Sequence, residues 1–475
     1  MNQQKTRVIA SLLLWTLVQG PSLPSPRAKE DPKHFELQIL PDPCPPGLSY
    51  CFFPSSNESG LVTLGNNSGS PAFTLLRLLW VGGKAEWKQS LLGPLPQTFT
   101  DKKVRLGRIP FLGETPSFGL AWATPKGTPR FFNRAPFLQT SVIEKAPPLG
   151  VPILSTDLDR DGLPELWALN PDQENEDAPP AILYSAPLTE EPSRSPIPNL
   201  GIGGGFAGVL AFDFDQDYLE DFLLFGPGKP ATLVLNHGNM NWTVPESDNQ
   251  PQGKIGSRLQ AKQLFLSPSM REKQWLLAIS QEDQALLLMR DGVAPFKPLL
   301  RDLGALAQGI RDARFLDQDL DGEIELWMLT DKGLVRASLQ SQEIYLVQRI
   351  KGGRRLLIGD MDGDLAPDFC VLRDQKKAIL LRSKTRSERL KRSMTISLEG
   401  IEEFPHAMGA YVELLVGEKV IQRHRWPPLR NDDALTLFFS LPSPLLETPS
   451  FRVTWPDGNV SESEAKPGTH SRLKH

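Results

Sequence analysis

The sequence predicts an all-β chain in which a β-propeller of about seven blades precedes a small β-sandwich-like domain. Proline (44) and glycine (38) are frequent among the 475 residues, and helical periodicity is hard to find, which favours a turn-rich β chain. Short stretches of strand character recur every 45–55 residues or so, a spacing typical of propellers. At about 46 residues per repeat, the span 60–385 accommodates roughly seven blades.

The best-preserved repeat is centred on an acidic loop, 317–325, with the pattern D-x-D-x-D-G-x-x-E. Carboxylates at its first, third and fifth positions repel one another unless a cation lies between them. Ca²⁺ suits the loop because it accepts roughly six to eight oxygen ligands in a flexible geometry. Gly322 supplies the sharp turn and Glu325 closes the ligand ring. Apolar strands precede and follow the loop, so the unit differs from an EF-hand.

The acidic pattern occurs four times, and its carboxylates are the predicted Ca²⁺ ligands. They are Asp157, Asp159, Asp161 and Glu165 in the first loop, Asp213, Asp215, Asp217 and Asp221 in the second, Asp317, Asp319, Asp321 and Glu325 in the third, and Asp360, Asp362, Asp364 and Asp368 in the fourth. The alternative, solvated acidic turns without metal, is less favoured because the flanking strands repeat in register. We expect a structural role for the ion, with the first and third loops tightest because Tyr218 and Leu365 replace glycine in the others.

Degenerate copies of the repeat are predicted where the acidic loop has been lost. The gap between Asp213 and Asp317 is about twice the usual period, and strands at 264–266 and 275–279 fit its middle. A similar copy precedes the first clear one, at 109–112 and 120–123.

These repeats resemble FG-GAP/VCBS repeats, the calcium-loop blades of integrin α-chain propellers and of many secreted bacterial proteins. Near the C-terminus, 408–414 and 451–458 resemble the G-A-x-V and V-x-W-P-D-G segments of the ASPIC/UnbV domain. A propeller followed by that domain is similar to the cartilage-acidic-protein-like family. Two features depart from the family: 426–443 replaces the usual glycine-rich middle, and there is no EGF-like cysteine module. The resemblance implies a Ca²⁺-binding scaffold for a protein or carbohydrate ligand.

The predicted domains follow from these patterns. They are a signal peptide at 1–28, an N-terminal segment at 29–59, the propeller at 60–385, a basic linker at 386–393, the ASPIC/UnbV-like domain at 394–465 and a disordered tail at 466–475. The apolar run 8–18 follows two basic residues and is too short to span a bilayer. We therefore expect a secreted or periplasmic/extracellular protein with no transmembrane segment in the mature chain; the alternative is an uncleaved membrane anchor.

The sequence contains no familiar enzyme signature. G-x-S-x-G, H-E-x-x-H and Walker-type G-K-[ST] are absent, and the six histidines are scattered. Carboxylates that hold Ca²⁺ cannot easily serve as general acid and base. The formal net charge of −4 predicts no nucleic-acid partner. We predict a non-enzymatic binding or adhesion-type scaffold; the alternatives are a carbohydrate-active enzyme built on a propeller and an accessory protein of a biosynthetic pathway.

Overall fold

The computed structural model describes the second half of the chain most completely. The described residues are the strands given below, the single residues 158, 206, 261 and 303, and the ranges 208–226, 229–239, 241–245, 263–271, 273–279, 285–292, 296–299, 307–341, 343–373, 376–385, 387–400, 407–426, 436–441 and 447–475. The predicted signal peptide, the loop residues Asp157, Asp159 and Asp161, and the side chain of Glu165 lie outside this set.

The regular secondary structure of the described residues is almost entirely β-strand. The first half contains β1 (Lys29–Glu30), β2 (Phe35–Ile39), β3 (Ser49–Pro54), β4 (Ser59–Asn67), β5 (Ser70–Val81), β6 (Lys84–Pro94), β7 (Arg105–Phe111), β8 (Ser117–Ala123), β9 (Arg130–Phe132), β10 (Pro152–Thr156), β11 (Glu165–Leu169), β12 (Ala181–Tyr184) and β13 (Arg194–Pro196). The middle contains β14 (Gly208–Phe212), β15 (Asp221–Gly226), β16 (Lys229–Asn236), β17 (Trp242–Thr243), β18 (Gln263–Leu266), β19 (Ser269–Met270), β20 (Lys273–Ile279), β21 (Ala285–Asp291), β22 (Lys297–Leu299), β23 (Asp312–Leu316), β24 (Glu325–Leu329), β25 (Leu334–Ser338), β26 (Ile344–Gln348), β27 (Gly353–Gly359), β28 (Asp368–Arg373) and β29 (Lys376–Ser383). A short helix, α1 (Ser387–Leu390), then leads to β30 (Ser393–Glu399), β31 (Tyr411–Val416), β32 (Lys419–Arg425), β33 (Leu437–Ser440), β34 (Pro449–Thr454), β35 (Val460–Glu464) and β36 (Thr469–Lys474).

Consecutive strands pair in antiparallel fashion, and four of the eight described sheets have four strands. Examples are β14-β15-β16-β17 and β10-β11-β12-β13. The first strands of successive sheets contact one another in chain order, from β3 through β7, β10, β14, β18 and β23 to β27, and β27 contacts β3 in turn. The described sheets therefore follow one another in a closed circuit of contacts, which is a propeller-like arrangement. The degenerate copies are confirmed as strand pairs, since β18 pairs with β20 and β7 with β8.

The N-terminal segment supplies outer strands to sheets formed much later in the chain. β2 pairs with β29 in antiparallel fashion, and β1 pairs with β26 in parallel. The sheets thus extend N-terminal of the predicted boundary at residue 60. Each addition covers a strand edge that would otherwise expose unpaired backbone groups.

Apolar contacts between neighbouring sheets form the core. β24 lies between β23 and β25 and is buried along its whole length. The indole of Trp327 lies 5.0 Å from the Phe369 ring of the next sheet and 5.6 Å from the Phe35 ring, measured between centroids. Trp327 is therefore a packing residue, and Cys370 in β28 is buried as well.

The C-terminal strands form two sheets with a separate core. β33-β30-β36 is one sheet, and β32-β31-β34-β35 is part of the other. Trp426, Phe439, Phe451 and Trp455 are buried between them. Trp455 opens a tight turn in which Gly458 adopts a φ of 84° and donates its N–H to the Trp455 carbonyl at 2.9 Å, which accounts for the W-P-D-G pattern.

Residues 466–475, predicted to be a disordered tail, differ most from expectation. β36 pairs in parallel with β30 over six residues, from Thr469 opposite Met394 to Lys474 opposite Glu399. Its residues alternate between half-buried and exposed, and Leu473 packs on the C-terminal core. The strand completes its sheet, and one apolar side chain in an otherwise polar segment anchors it.

Candidate metal loops and the adjacent cavity

The three acidic loops that the structure describes have the same backbone conformation. Their fourth positions have φ values of 66° (Gln216), 57° (Leu320) and 77° (Gly363), and their sixth positions have values of 68° (Tyr218), 94° (Gly322) and 72° (Leu365). A left-handed conformation costs a non-glycine residue about 1–2 kcal/mol. The turn predicted at the sixth loop position is therefore present, and two of the three loops form it with a residue other than glycine there.

Two hydrogen bonds recur in every described loop and explain the shared conformation. The first aspartate accepts the N–H of the sixth residue, at 3.1 Å in the loop of Asp213, 2.8 Å in that of Asp317 and 3.0 Å in that of Asp360. The ninth-position carboxylate accepts the N–H of the second residue, at 2.7, 3.2 and 2.9 Å in the same order. These bonds hold the carboxylates toward the centre of each loop.

The described loops bring most of the predicted ligands together. Groups whose carboxylate oxygens lie within 4.8 Å of one another are Asp317, Asp319, Asp321 and Glu325, then Asp213, Asp215 and Asp221, then Asp360, Asp362 and Asp368. Asp217 and Asp364 do not join these groups. Their Oδ1 atoms instead accept the N–H of Leu219 and of Ala366, each at 2.8 Å.

Burial makes these carboxylates difficult to ionise. Loss of solvent raises the pKa of Asp221 to about 8, of Asp317 to about 7 and of Asp360 to about 6. The pKa of Glu325 also lies well above its ordinary value, chiefly because of burial and then because of the neighbouring Asp317. A cation held by the loops would oppose these shifts, since it stabilises the ionised form.

Arginines contact all three loops, and sequence reasoning missed them. Arg336 donates from Nη2 to Asp319 Oδ2 at 3.1 Å and to Glu325 Oε1 at 2.5 Å. Arg389 Nη1 lies 2.8 Å from Asp319 Oδ2. Arg389 lies in the predicted basic linker, 386–393. In the fourth loop, Arg382 Nη2 lies 2.7 Å from Asp362 Oδ2.

The donor set fits a hard divalent cation despite these arginines. Every group offers carboxylate oxygens, which Ca²⁺ and Mg²⁺ prefer. In the described residues, Asp213 Oδ1 and Asp319 Oδ1 are buried and accept no hydrogen bond. Buried acceptors without partners are costly, so these two oxygens have unused capacity to coordinate an ion.

The C-terminal domain docks directly on two of the loops. Arg423, in β32, donates from Nη2 to Asp213 Oδ2 at 2.7 Å, and Ser440 Oγ donates to Asp317 Oδ2. The adjacent Arg425 donates from Nη2 to Glu220 Oε2 at 2.8 Å in a buried ion pair. β32 also pairs with β19, which makes one sheet continuous across the junction.

A cavity of about 200 Å³ lies at this junction. One wall comes from β14, β18 and β23, and the other from β31, β32 and β33. Its lining is mainly apolar, with Leu264 and Leu437 on opposite walls, while Asp213, Tyr411 and Arg423 contribute polar groups. Cavities at domain interfaces with a few converging polar groups are common ligand sites.

Comparisons with known proteins find only distant structural likeness. No protein-family model matches the chain, and no curated protein matches it. Among solved structures, the BP39L lectin from Burkholderia pseudomallei has 10% identity, a TM-score of 0.46, and coverage of 71% of this chain and 96% of its own. AofleA from Arthrobotrys oligospora has 11% identity, a TM-score of 0.34 and coverage of 76% and 92%. Apo AztD from Citrobacter koseri has 13% identity, a TM-score of 0.34 and coverage of 68% and 79%.

The described part of the chain contains no helix with the length and apolar character needed to cross a bilayer.

Proposed function

We propose that this protein is an exported seven-bladed β-propeller, stabilised by Ca²⁺, that binds a protein or carbohydrate ligand without transforming it. The observation that carries the proposal is the repetition of one loop geometry at Asp213, Asp317 and Asp360. Three loops far apart in sequence adopt the same strained backbone and direct carboxylates to one point. A solvated acidic turn has no need of this arrangement, whereas an oxygen-ligated cation does.

The ligands we assign are those that converge in the described loops. Asp317, Asp319, Asp321 and Glu325 would hold one ion, and the groups headed by Asp213 and Asp360 would hold two more. The bound ions would neutralise buried carboxylates and fix the ends of the strands that each loop joins. Arginines already neutralise part of this charge: Arg336 pairs with two oxygens of the set, and Arg382 and Arg423 pair with one each.

A binding role follows from how these carboxylates are used. General acid–base catalysis needs two groups with separated pKa values and free access to substrate. Here the repeated carboxylates accept hydrogen bonds from backbone N–H groups and pair with arginines. Every pKa shift resolved among them is upward, so their pKa values are not separated in opposite directions. We therefore assign ligand recognition to the propeller face and to its junction with the C-terminal domain.

Thermal unfolding in EDTA and in millimolar Ca²⁺, together with elemental analysis of the purified protein, tests the metal. Each site at 100 times its dissociation constant adds roughly 2.7 kcal/mol to the free energy of unfolding. Asp317→Asn should reduce the Ca²⁺-induced rise in Tm, while Asp331→Asn, an exposed aspartate outside the loops, should leave it unchanged. Coincident melts in EDTA and Ca²⁺ would refute the metal assignment.

A binding screen tests the scaffold role. The full chain would be applied to arrays of glycans and of extracellular proteins, with Ca²⁺ and with EDTA. We expect capture of a discrete set of partners without chemical change in them. Depolymerisation of a polysaccharide by the purified chain would favour the carbohydrate-active enzyme instead.

A further inference from the structure

The second acidic loop holds the C-terminal domain through its first, sixth and eighth residues. The first residue, Asp213, pairs with Arg423 of β32, with Asp213 Oδ2 and Arg423 Nη2 2.7 Å apart. The eighth residue, Glu220, forms a buried ion pair with Arg425 of the same strand. The sixth residue, Tyr218, packs its ring against Arg423, with the guanidinium carbon 4.6 Å from the ring centroid. One metal loop is therefore also a docking surface for β32.

The domain contact gives a reason for the absence of glycine from this loop. Tyr218 has a φ of 68°, which is strained for any residue with a Cβ. Its ring and that of Tyr411, in β31, both lie against the Arg423 guanidinium, at 4.6 and 4.5 Å, and a cation beside aromatic rings is attracted to them. Glycine would relieve the strain but lose this contact, so the strained residue serves the docking of the C-terminal domain.

The described charged groups around Arg423 are of both signs. They are Asp213, Asp215, Asp217, Asp221, Glu220 and Arg290 on the propeller side, and Glu413, Arg425 and Arg452 in the C-terminal domain. Glu413 lies 3.7 Å from Arg423 but also 3.6 Å from Arg452, so its charge is shared. Arg290 donates to backbone carbonyls of the loop, at 2.9 and 3.4 Å. Asp213, at 2.7 Å, is therefore the strongest countercharge of Arg423, and it comes from the other domain.

The carboxylate that anchors Arg423 is also the first ligand assigned to the cation. Asp213, Asp215 and Asp221 bring oxygens within 4.8 Å of one another, and Arg423 occupies Asp213 Oδ2. A divalent cation would cancel two of the three carboxylate charges in this group. It would also place a second positive centre on the carboxylate that Arg423 contacts. Because like charges repel and the same anion attracts both, the cation would weaken the hold on Arg423.

The neighbouring residue of β32 reaches the third loop in a similar way. Gln422 Nε2 donates to Ser440 Oγ at 3.1 Å, and Ser440 Oγ donates to Asp317 Oδ2. Asp317 is the first ligand of the third loop, and its Oδ2 also accepts the Gly322 N–H at 2.8 Å. An ion coordinated by this oxygen would compete with the Ser440 hydroxyl for it. Adjacent residues of one strand therefore contact, directly or through Ser440, the first carboxylates of two loops.

We propose that Ca²⁺ loading of the second loop and docking of the C-terminal domain oppose each other, so that the cation loosens the domain junction. Such a coupling is reciprocal: whatever the cation does to docking, docking does to cation affinity by the same factor. The inference rests on the proposed Ca²⁺ sites and adds a consequence of filling them. Because the cavity of about 200 Å³ lies at this junction, Ca²⁺ would control access to it.

Hydrogen–deuterium exchange of the full chain, in EDTA and in saturating Ca²⁺, tests the coupling. The Arg271 N–H donates to the Ile421 carbonyl across the junction at 2.8 Å, so peptides that contain Arg271 report the docking. We expect Ca²⁺ to speed their exchange about fivefold to 150-fold, the usual range for coupled sites, and not to speed exchange in β24. Calorimetry on the same samples records Ca²⁺ binding separately. Binding of Ca²⁺ with unchanged or slower exchange would overturn the inference and leave the metal assignment intact, whereas absence of Ca²⁺ binding would overturn both.

Tyr218→Gly and Leu365→Gly form a matched pair of variants. Each replaces a strained residue at the sixth loop position, but Tyr218 packs on Arg423, whereas the loop of Leu365 pairs with Arg382 of its own sheet. In EDTA, Tyr218→Gly should speed exchange at Arg271 even though it relieves backbone strain, and Leu365→Gly should not. Equal exchange in the two variants would overturn the docking role of Tyr218.

Two further variants test the reciprocal effect. Arg423→Gln removes the competing guanidinium and should make one calorimetric Ca²⁺-binding event tighter by about fivefold or more. Asp215→Asn alters an exposed member of the same carboxylate group and should remove most of the Ca²⁺-induced exchange. Unchanged affinity in Arg423→Gln, or a full exchange response in Asp215→Asn, would show that the second loop does not control the junction.

Discussion

Removing Arg336 should make the fold depend more strongly on Ca²⁺. Its guanidinium contacts Asp319 and Glu325 at 3.1 and 2.5 Å and supplies positive charge within the acidic group of the third loop. In Arg336→Gln the four carboxylates lose this compensation when no ion is bound. A bound ion would replace it, because the same oxygens become available for coordination.

The magnitude follows from the burial of the pair. The side chain of Arg336 is 15% exposed and that of Glu325 is 4% exposed, so solvent screens their attraction only weakly. Two unit charges 4 Å apart interact by about 4 kcal/mol at an effective dielectric constant of 20. Breaking a buried pair by removing one partner costs about 3–5 kcal/mol. We therefore expect a loss of that order in the metal-free protein and a smaller loss in Ca²⁺.

The assay is thermal unfolding of wild type and Arg336→Gln in EDTA and in saturating Ca²⁺, with calorimetric titration of the ion. Compared with wild type, the variant should have a lower Tm in EDTA and a larger difference in Tm between EDTA and Ca²⁺. Arg311→Gln is the control: it lies beside the same sheet and pairs with Asp331 at 3.0 Å, but both side chains are well exposed, so its effect should stay within about 1 kcal/mol. If the difference in Tm between Ca²⁺ and EDTA is no larger in Arg336→Gln than in wild type, the reasoning is refuted.

Three further perturbations probe the loops and the domain junction. Gly322→Ala should lower the free energy of unfolding by about 1–2 kcal/mol, since a φ of 94° strains any residue with a Cβ, and chemical denaturation measures this. Burial raises the pKa of Asp317 from 3.8 to about 7 and of Asp221 from 3.8 to about 8, so the metal-free protein retains protons that the unfolded chain releases. Its stability should therefore fall as pH rises from about 4 to 8, while the Ca²⁺-induced rise in Tm grows; melts across this range decide. Glu220→Gln should cost about 3–5 kcal/mol because it removes the carboxylate that pairs with the buried Arg425, and scanning calorimetry of the full chain would show it.

The sequence predicted those features that depend on local chain geometry. The spacing of carboxylates around Asp317 determined which oxygens converge, because the loop conformation is set by hydrogen bonds within about nine residues. The degenerate copy at 264–279 was predictable because its strands retain their apolar character without the acidic loop. Strand pairing between neighbours in the chain is a short-range property, so periodicity reports it.

Features that depend on distant segments escaped prediction. Arg423 meets Asp213 across 210 positions in the sequence, and no local pattern links them. Strand β1 joins β26 across more than 300 residues, in parallel and through only two residues. Strand β36 was predicted to be a polar tail because it contains one apolar residue, Leu473, and a single apolar residue shows no strand periodicity. Pairing with the edge of β30 forms the strand, and the sequence of β36 alone does not reveal that pairing.

Glycine at the sixth loop position predicts tight binding only if backbone strain arises when the ion binds. Tyr218 and Leu365 have positive φ values, and N–H bonds to Asp213 and Asp360, made within each loop, hold them there. The strain is therefore a cost of folding, equal in the free and bound forms, and it cancels from the affinity. What differs between the converging carboxylate groups of the described loops is the pairing with arginine, since two arginines pair with the group of the third loop and one with each of the other two groups. Because a cation must compete with these guanidinium groups, we expect the second and fourth loops to bind Ca²⁺ before the third. In calorimetric titration, Asp221→Asn and Asp368→Asn should each lack one of the tighter Ca²⁺-binding events, and Glu325→Gln should lack the weakest. If Glu325→Gln instead loses the tightest event, the glycine at the sixth position determines the affinity.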